Sequence, residues 1–345
     1  MAGRPEGGKG ETVCVTGARG YIASWLVKLL LSRGYTVRGT VRDLGEKKTG
    51  HLRSLENASE NLKLIKADLL DNDAMAAAIE GCQGVFHVAS PVPTGDVTDP
   101  EVEVLGPAAT GTRNVLEAAS AAKVRRLVVV SSIVAVDINP KDWPADKIKD
   151  ETCWSDREFC RNNGDWYSVS KITAEEAALE YGQRTGLDVV TLNPAVVFGP
   201  LLQPTVNASS QFLVYFLKGG GPGRMRDKLW HIVDVRDTAD ALLLLYEAPE
   251  AVGRHICAPH VITARDLRDM LKNMYPDYPL VSKESICDMD HPAPMTTDKL
   301  KKLGWSCRSL EETITDTVKF CQQAGFLDDV DGAGPCRFPP IYNKI

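Results

Sequence analysis

Short apolar runs alternate with longer stretches of helical periodicity through the first half of the chain. The apolar runs are rich in β-branched residues, which favour strands. The helical stretches include one from about Gly20 to Arg33 and a long one over roughly 100–122. The predicted strands are T-V-C-V-T (12–16), Y-T-V-R-G-T-V (35–41), L-K-L-I-K (62–66), G-V-F-H-V-A (84–89), R-L-V-V-V (126–130) and L-D-V-V-T-L (187–192).

This alternation predicts the fold class. Strands interleaved with helices form βαβ units and a parallel sheet, and strands that are apolar throughout are covered on both faces. We therefore predict an α/β protein with a Rossmann-type doubly wound parallel sheet. Beyond Pro194 the loops contain more Pro and Gly and the helices are shorter, which indicates a smaller C-terminal α/β substrate lobe.

The same changes of character suggest boundaries along the 345 residues. Residues 1–10 are expected to be a disordered lead, 11–194 a nucleotide-binding domain, and 195–325 mostly a substrate-binding lobe. Residues 326–345 are rich in Gly and Pro and are expected to form a loosely held tail.

Composition excludes several classes of protein. The net charge is −6, which argues against a nucleic-acid partner, and no apolar run approaches the roughly 18 residues of a membrane span. The first ten residues lack the apolar segment of a secretory signal, so we expect a cytoplasmic protein. The nine cysteines form no CxxC pair and the histidines have no metal spacing, so no metal is predicted. Cys153 and Cys160 are expected to be structural thiols, with a redox pair as the alternative.

A glycine pattern follows the first predicted strand and opens the first helix. In T-G-A-R-G-Y-I-A (16–23), Gly17, Gly20 and Ala23 let the backbone turn tightly and approach a pyrophosphate at the helix N-terminus. The segment predicts a dinucleotide site, with further contacts from Arg19, Tyr21 and Ile22.

The end of the second strand distinguishes NADP from NAD. Arg42 closes this strand and Lys48 follows nearby, and a guanidinium suits a 2′-phosphate. We therefore predict NADP(H), while Asp43 keeps an NAD site as the alternative. Two later strand ends are also placed to line the cofactor, namely Asp68-Leu69 at the adenine and Val88-Ala89-Ser90 along the ribose and phosphates.

The segment D-W-Y-S-V-S-K (165–171) opens a predicted helix that brings Tyr167 and Lys171 onto one face. A phenol can deliver a proton to a carbonyl oxygen that receives a hydride, and a nearby ammonium lowers the phenol's pKa toward neutrality. Ser131 and Ser132 end the fifth strand, and a serine hydroxyl there can polarise the carbonyl. Either serine is suitably placed. The set predicts a carbonyl reductase.

These segments resemble the extended short-chain dehydrogenase/reductases, and the chain is similar to plant cinnamoyl-CoA reductases and dihydroflavonol reductases from about Glu11 to Leu327. The motifs that carry the resemblance are G-Y-T-V-R-G-T-V-R-D, R-R-L-V-V-V-S-S-I, Y-S-V-S-K and G-P-L-L-Q-P-T-V-N-A-S, among others. The resemblance implies that Ser132 is the catalytic serine and that Arg42 and Lys48 hold the 2′-phosphate. It also implies cofactor contacts from Pro194, Val197 and Ser209.

The chain departs from both groups where substrates bind. Cinnamoyl-CoA reductases carry a His and a Lys, tied to the CoA thioester, where this chain has Phe212 and Tyr215. Dihydroflavonol reductases carry an Asn that reads flavonoid hydroxyls where this chain has Asp137. We take these three residues as candidate substrate contacts, with simple helix packing as the alternative for Phe212 and Tyr215.

The predicted function is NADPH-dependent reduction of an aromatic, phenylpropanoid-type small molecule, with hydroxycinnamoyl-CoA thioesters placed first. A free phenolic aldehyde or flavonoid-like ketone is the alternative substrate. Further alternatives are a nucleotide-sugar epimerase or dehydratase and a catalytically silent NADPH-binding protein. The resemblance also implies a monomer.

Overall fold

The computed structural model describes residues 10–93, 97–141, 146–220, 224–328 and 338–342. The strands are β1 (Thr12–Val15), β2 (Thr36–Val41), β3 (Leu62–Lys66), β4 (Gly84–His87), β5 (Arg126–Val130), β6 (Val189–Pro194), β7 (Val196–Phe198), β8 (Met225–Arg226), β9 (Leu229–Asp234), β10 (Gly253–Cys257), β11 (His260–Thr263) and β12 (Ile286–Cys287). The helices are α1 (Tyr21–Ser32), α2 (Glu46–Arg53), α3 (Ala58–Asn61), α4 (Asn72–Ile79), α5 (Gly106–Ala121), α6 (Arg157–Asn162), α7 (Trp166–Thr185), α8 (Ala208–Leu217), α9 (Val235–Glu247), α10 (Ala264–Met274), α11 (Asp298–Lys302) and α12 (Leu310–Gln323). A π-helical turn (Glu101–Leu105) leads into α5, and short 3-10 turns lie at Ile133–Ala135, Lys283–Ser285 and Pro340–Tyr342.

Seven strands form a parallel sheet in the order β3-β2-β1-β4-β5-β6-β10. The chain builds outward from β1 to β3 and then continues on the other side of β1 with β4. This reversal opens a crevice at the carboxyl ends of β1 and β4, which is where open α/β sheets bind ligands. The architecture confirms the predicted Rossmann-type fold.

Helices cover both faces of this sheet, as the apolar strands require. Helix α1 packs against α9 on one face, while α5 packs between α4 and α7 on the other. Each face has its own core of buried side chains. Burial of both faces is the main source of stability in such a sheet.

A smaller lobe is built around a three-stranded sheet, β11-β9-β7, and the short pair β12-β8. Helices α8, α10 and α12 contribute to its apolar core, which is separate from the two cores of the large sheet. Strand β7 follows β6 almost directly, so the chain passes from one sheet to the other close to the crevice.

The lobe is not continuous in sequence. Strand β10 pairs in parallel with β6, with Gly253 opposite Val190 and Cys257 opposite Pro194. Strand β10 is thus part of the large sheet, and α9 packs against α1 on one face of that sheet, although both elements lie in the stretch 195–325 that we predicted to be mostly lobe. The short helices and Pro- and Gly-rich loops of this stretch did not indicate that the chain returns to the large sheet.

Residues 338–342 also differ from the expected loosely held tail. They pack against the aromatic core of the lobe and reach the crevice. The other predicted tail residues, 329–337 and 343–345, and residues 1–9 of the predicted lead lie outside the described residues.

Two chemical features of the described residues bear on the predicted class of protein. None of their helices is both long and apolar enough to cross a membrane. The same residues contain no group of three or more His, Cys, Asp or Glu side chains suited to a metal ion. Cys153 and Cys160 are both buried free thiols, and burial raises the pKa of Cys160 to about 12.

Candidate active site

A cleft of about 1090 Å³ lies along the carboxyl edge of the large sheet and extends to the smaller lobe. Almost all predicted cofactor and catalytic residues line it, although they come from distant parts of the chain. The predicted residues that line the cleft are Gly17, Arg19, Gly20, Tyr21, Ile22, Arg42, Asp68, Leu69, Val88, Ala89, Ser90, Ser132, Asp137, Tyr167, Lys171, Pro194, Val197 and Ser209.

The glycine loop has the geometry that a pyrophosphate requires. Gly17 adopts a left-handed φ of 64°, and a Cβ atom there would lie 2.9 Å from the Cβ atom of Ala89. The Gly20 N–H closes the turn by donating to the Gly17 carbonyl at 2.8 Å. Helix α1 then begins at Tyr21 with no acidic side chain in its first turn, so its positive end is available to an anion.

Thr16 joins this loop to the end of β4. Its Oγ1 atom accepts hydrogen bonds from the backbone N–H groups of Val88 and Ala89, both at 3.0 Å. Its hydroxyl also lies 3.0 Å from Nδ1 of His87, whose pKa burial lowers to about 3. The neutral imidazole and Thr16 therefore hold the two strand ends together beneath the cleft.

The residues predicted for the 2′-phosphate are placed differently from each other. Arg42 is exposed and lines the cleft at the end of β2. Lys48 is exposed on α2, and its side chain is not part of the cleft lining. Arg19 from the glycine loop lines the cleft and offers a second guanidinium to an anion.

Two hydrogen bonds hold the loop after β3 in place. Asp68 accepts a hydrogen bond from the Leu70 N–H at 3.0 Å, and the Leu69 carbonyl accepts one from the Asn114 side chain at 2.8 Å. Asn114 is buried on α5. These bonds fix the loop that lines the cleft beside the glycine turn.

Helix α7 places Tyr167 in its first turn and Lys171 one turn later. Asp165 caps this helix by accepting hydrogen bonds from the Ser168 N–H at 3.1 Å and the Ser168 hydroxyl at 2.7 Å. The Lys171 ammonium donates to the Val130 carbonyl at 3.2 Å and lies 5.9 Å from the centroid of the Tyr167 ring. The two side chains therefore meet at the end of β5, as the spacing predicted.

The electrostatics of the pair differ from expectation. Burial raises the pKa of Tyr167 well above its ordinary value, and the Ser132 hydrogen bond to the phenol only partly opposes this. Burial also lowers the pKa of Lys171 to about 8, with the charge of Glu175 opposing that change. Tyr167 is therefore a protonated phenol at neutral pH, and Lys171 keeps its charge there.

The neighbouring serines have separate partners. The Ser132 side chain hydrogen-bonds the Tyr167 phenol, whereas the Ser131 hydroxyl donates to a Glu175 carboxylate oxygen at 2.7 Å. Both serines line the cleft, but the Ser131 hydroxyl is directed to Glu175, which leaves Ser132 as the serine in contact with the phenol. The structure therefore places Ser132 beside Tyr167.

Sequence reasoning missed Glu175, which lies one further turn along α7 and is fully buried. Its carboxylate accepts hydrogen bonds from Thr191 at 2.7 Å, Asn193 at 2.8 Å and Arg254 at 3.0 Å, besides the bond from Ser131. Asn193 also donates to the Ser132 carbonyl at 3.1 Å. The i, i+4 spacing of Tyr167, Lys171 and Glu175 on one helix face was the available signal.

A polar group lies toward the smaller lobe. Asp137 forms an ion pair with the buried Lys149 at 2.6 Å, and Asp137, Lys228 and His231 line the cleft. Burial alone would raise the pKa of Asp137, but the charge and hydrogen bond of Lys149 and the nearby charge of Lys228 together outweigh it, and the pKa is lowered. Burial lowers the pKa of His231, which accepts a hydrogen bond from the Met295 N–H and is neutral. Lys228 and His231 were not predicted.

Phe212 and Tyr215 lie behind the cleft wall. Phe212 has no exposed surface and Tyr215 is 6% exposed, and both belong to the aromatic core of the lobe. Neither is among the described residues that line the cleft. Trp230 and Tyr342, which contact Phe212, do line it.

Comparisons with known proteins decide the family. The model of the NAD dependent epimerase/dehydratase family matches residues 13–257, which span the glycine loop, the Ser132–Tyr167–Lys171 set and the strands of the large sheet. The chain belongs to this family.

Within the NAD dependent epimerase/dehydratase family, the chain is similar to reductases along nearly its whole length. Cinnamoyl-CoA reductase 1 from Petunia hybrida is 47% identical over 320 residues, which cover 92% of this chain and 94% of the relative. These findings confirm the predicted resemblance to cinnamoyl-CoA reductases and place this family member among the oxidoreductases.

Two solved structures are similar to this epimerase/dehydratase family member. Vestitone reductase from alfalfa superposes with a TM-score of 0.80 at 34% identity, covering 92% of this chain and 99% of that one. Yeast methylglyoxal/isovaleraldehyde reductase complexed with NADPH has a TM-score of 0.78 at 27% identity, covering 91% and 99%. Both superpositions extend over the nucleotide-binding domain and the lobe.

The two serines of this family member make a matched pair for mutation. We expect Ser132→Ala to lower kcat of carbonyl reduction by about 100- to 1000-fold, because a hydrogen-bond donor to the developing oxyanion is lost. Ser131→Ala removes one of the donors to buried Glu175, so we expect a lower Tm with kcat reduced less than about tenfold. Steady-state rates and thermal melting of both variants check this, and the reverse pattern would assign the catalytic role to Ser131.

Proposed function

We propose that the protein is an NADPH-dependent carbonyl reductase that acts on aromatic, phenylpropanoid-type substrates. The observation that supports this most strongly is the Ser132–Tyr167–Lys171 set at the carboxyl edge of β5. It adjoins a cleft that begins at a glycine loop and ends among aromatic and polar side chains of the lobe. The reductases to which the chain is similar favour the same conclusion.

The residues present fit a dinucleotide with a 2′-phosphate. The Gly17 turn leaves no room for a side chain against Ala89, and the start of α1 carries no competing carboxylate. Arg19 and Arg42 line the end of the cleft where the second strand closes, and a neighbour of similar structure is an NADPH complex. When bound, NADPH supplies the hydride that reduces the carbonyl carbon.

The protein's own groups then serve the carbonyl oxygen. Tyr167 is a protonated phenol, so it can donate its proton to the oxygen as negative charge develops there. The Ser132 hydroxyl donates a hydrogen bond to the same oxygen and stabilises that charge. The Lys171 ammonium provides a nearby positive charge that favours the phenolate left behind. A protonated Tyr167 is the form that the proposed reduction requires.

Two substrate classes fit, and each is favoured by a separate observation. The similarity to cinnamoyl-CoA reductases favours a hydroxycinnamoyl-CoA thioester, which would be reduced to the aldehyde. The aromatic core at Phe212 and Tyr215 favours a free aldehyde or ketone, because it places no cation on this part of α8 to pair with CoA phosphates. We place the thioester first because the similarity extends over most of the chain.

The deciding experiment is NADPH oxidation by the purified protein with feruloyl-CoA, coniferaldehyde and dihydroquercetin at matched concentrations. We expect turnover of at least one of them and the largest kcat/KM with feruloyl-CoA. Turnover of only the free aldehyde or ketone would select the second substrate class. An absence of NADPH oxidation with all three, in protein that binds NADPH, would reject the proposed reductase.

We expect Tyr167→Phe to lower kcat by about 100-fold or more, because the ring is kept while the proton donor is lost. The Kd of NADPH, measured by fluorescence titration, should change little. Retention of wild-type turnover would show that Tyr167 is not the acid.

Arg42 and Lys48 provide a test of the preference for NADPH. We expect Arg42→Ala to raise the KM for NADPH by about 10- to 100-fold, since a charge-assisted hydrogen bond to the 2′-phosphate is lost. The KM for NADH should stay nearly constant. Lys48→Ala is the matched control and should have a smaller effect, because this side chain lies outside the cleft lining. Equal effects of Arg42→Ala on both cofactors would contradict the assignment.

A further inference from the structure

The segment Phe338–Tyr342, near the C-terminal end of the chain, forms part of the cleft wall. Pro339, Ile341 and Tyr342 line the cleft together with Ser209 and Trp230 of the lobe. These are the last described residues, yet they lie beside side chains more than a hundred residues earlier in the chain. A stretch that composition predicted to be loosely held therefore contributes surface to the site.

Aromatic packing holds this segment in place. Phe338 packs against Tyr215, with ring centroids 5.1 Å apart, and against Phe212 at 5.5 Å. Tyr342 packs edge-on against Phe212 at 5.6 Å and Trp230 at 5.5 Å. Edge-to-face pairs at these separations stabilise the contact beyond the effect of the buried area alone. Phe212 and Tyr215 therefore act on the cleft by anchoring the residues that line it.

Tyr342 has a polar anchor as well. Its hydroxyl lies 3.0 Å from the Ser209 hydroxyl, which is on the first turn of α8. Burial raises the pKa of Tyr342 to about 12, so the side chain is uncharged. The hydrogen bond holds the hydroxyl of Tyr342, while the edge contacts hold its ring. Together they fix both the position and the orientation of the side chain.

Tyr342 lies in the same cleft as the proposed acid, Tyr167. The nearby Tyr342 phenol contributes to the raised pKa of Tyr167. On the lobe side of the same cleft lie Trp230 and the polar residues Asp137 and His231. A substrate whose carbonyl is at Tyr167 thus has Tyr342 and Trp230 on its apolar side.

We propose that Tyr342 is a specificity-determining residue that closes the substrate end of the cleft and limits the size of the aromatic group bound there. Its ring favours substrates with a single aromatic ring next to the reacting carbonyl and disfavours polycyclic, flavonoid-like ketones. This inference rests on the proposed reductase function, because it concerns the substrate of the same site. No motif or spacing indicated this role, since Tyr342 lies in the predicted tail, 326–345.

The test uses the full-length chain with Tyr342→Ala, Tyr342→Phe and a matched control. The control is Tyr278→Ala, which removes a tyrosine ring packed against the same lobe core but not part of the cleft lining. The measured quantity is the ratio of kcat/KM for dihydroquercetin to that for the single-ring substrate, either coniferaldehyde or feruloyl-CoA, whichever the wild-type protein reduces faster. Melting temperatures and the Kd of NADPH show whether each variant is folded.

We expect Tyr342→Ala to raise this ratio by about tenfold or more, within the range by which small changes of pocket volume alter selectivity. Tyr342→Phe should keep the ratio within about threefold of wild type, because the ring remains. Tyr278→Ala should leave it unchanged. A ratio for Tyr342→Ala equal to that of Tyr278→Ala would overturn the inference, as would a wild-type protein that prefers dihydroquercetin.

A failure of the proposed function is distinguishable from a failure of this inference. If the wild-type protein reduces none of the three carbonyls, calorimetric titration of the NADP⁺-loaded protein with dihydroquercetin replaces the kinetic assay. Tighter binding to Tyr342→Ala than to wild type would support a size-limiting wall in a protein that is not a reductase of these compounds. Equal affinity, or no binding to either protein, would overturn it.

Discussion

The carboxylate of Glu175 is fully buried, and the arrangement of the catalytic edge depends on the groups that bind it. An unpaired buried carboxylate is so costly that its partners must be in place before the domain is stable. Those partners are Ser131, directly after β5, Thr191 and Asn193 on β6, and Arg254 on β10. One charge thus joins α7, which carries Tyr167 and Lys171, to three neighbouring strands at the edge where the reaction is proposed to occur.

Arg254 extends this connection away from the sheet. Its guanidinium donates to the backbone carbonyls of Ala135, Glu151 and Cys153 and lies 3.6 Å from the ring centroid of Trp154. Residues 135–154 lead from Ser132 past the ion pair of Asp137 and Lys149. The return of the chain to the large sheet at β10 therefore supports the segment that follows Ser132, the serine proposed to be catalytic.

The sequence was sufficient to predict those features that are defined by a few consecutive residues. The glycine turn at Gly17, the six predicted strands and the Tyr167–Lys171 spacing are each defined within a few residues, and the structure contains them. The choice between Ser131 and Ser132 was not local, because it depends on Glu175, and the position of β10 was not local, because it depends on pairing with β6. The direction of the Tyr167 pKa was missed because spacing shows the neighbouring ammonium but not the extent of burial. Phe212 was misjudged for the same reason. Its position in the sequence suggested a substrate contact, but it is buried and packs against Tyr342 instead.

Burial also sets the protonation state of the acid in the proposed reduction. Desolvation raises the pKa of the Tyr167 phenol, the neighbouring Tyr342 phenol acts in the same direction, and desolvation lowers the pKa of the Lys171 ammonium. If Lys171 acted alone, the phenol would ionise more easily and would be a better base for oxidation. Because desolvation outweighs that effect, the phenol keeps its proton and can give it to the oxygen of a reduced carbonyl. The proposed size-limiting wall at Tyr342 and the protonated state of Tyr167 both belong to this one cleft.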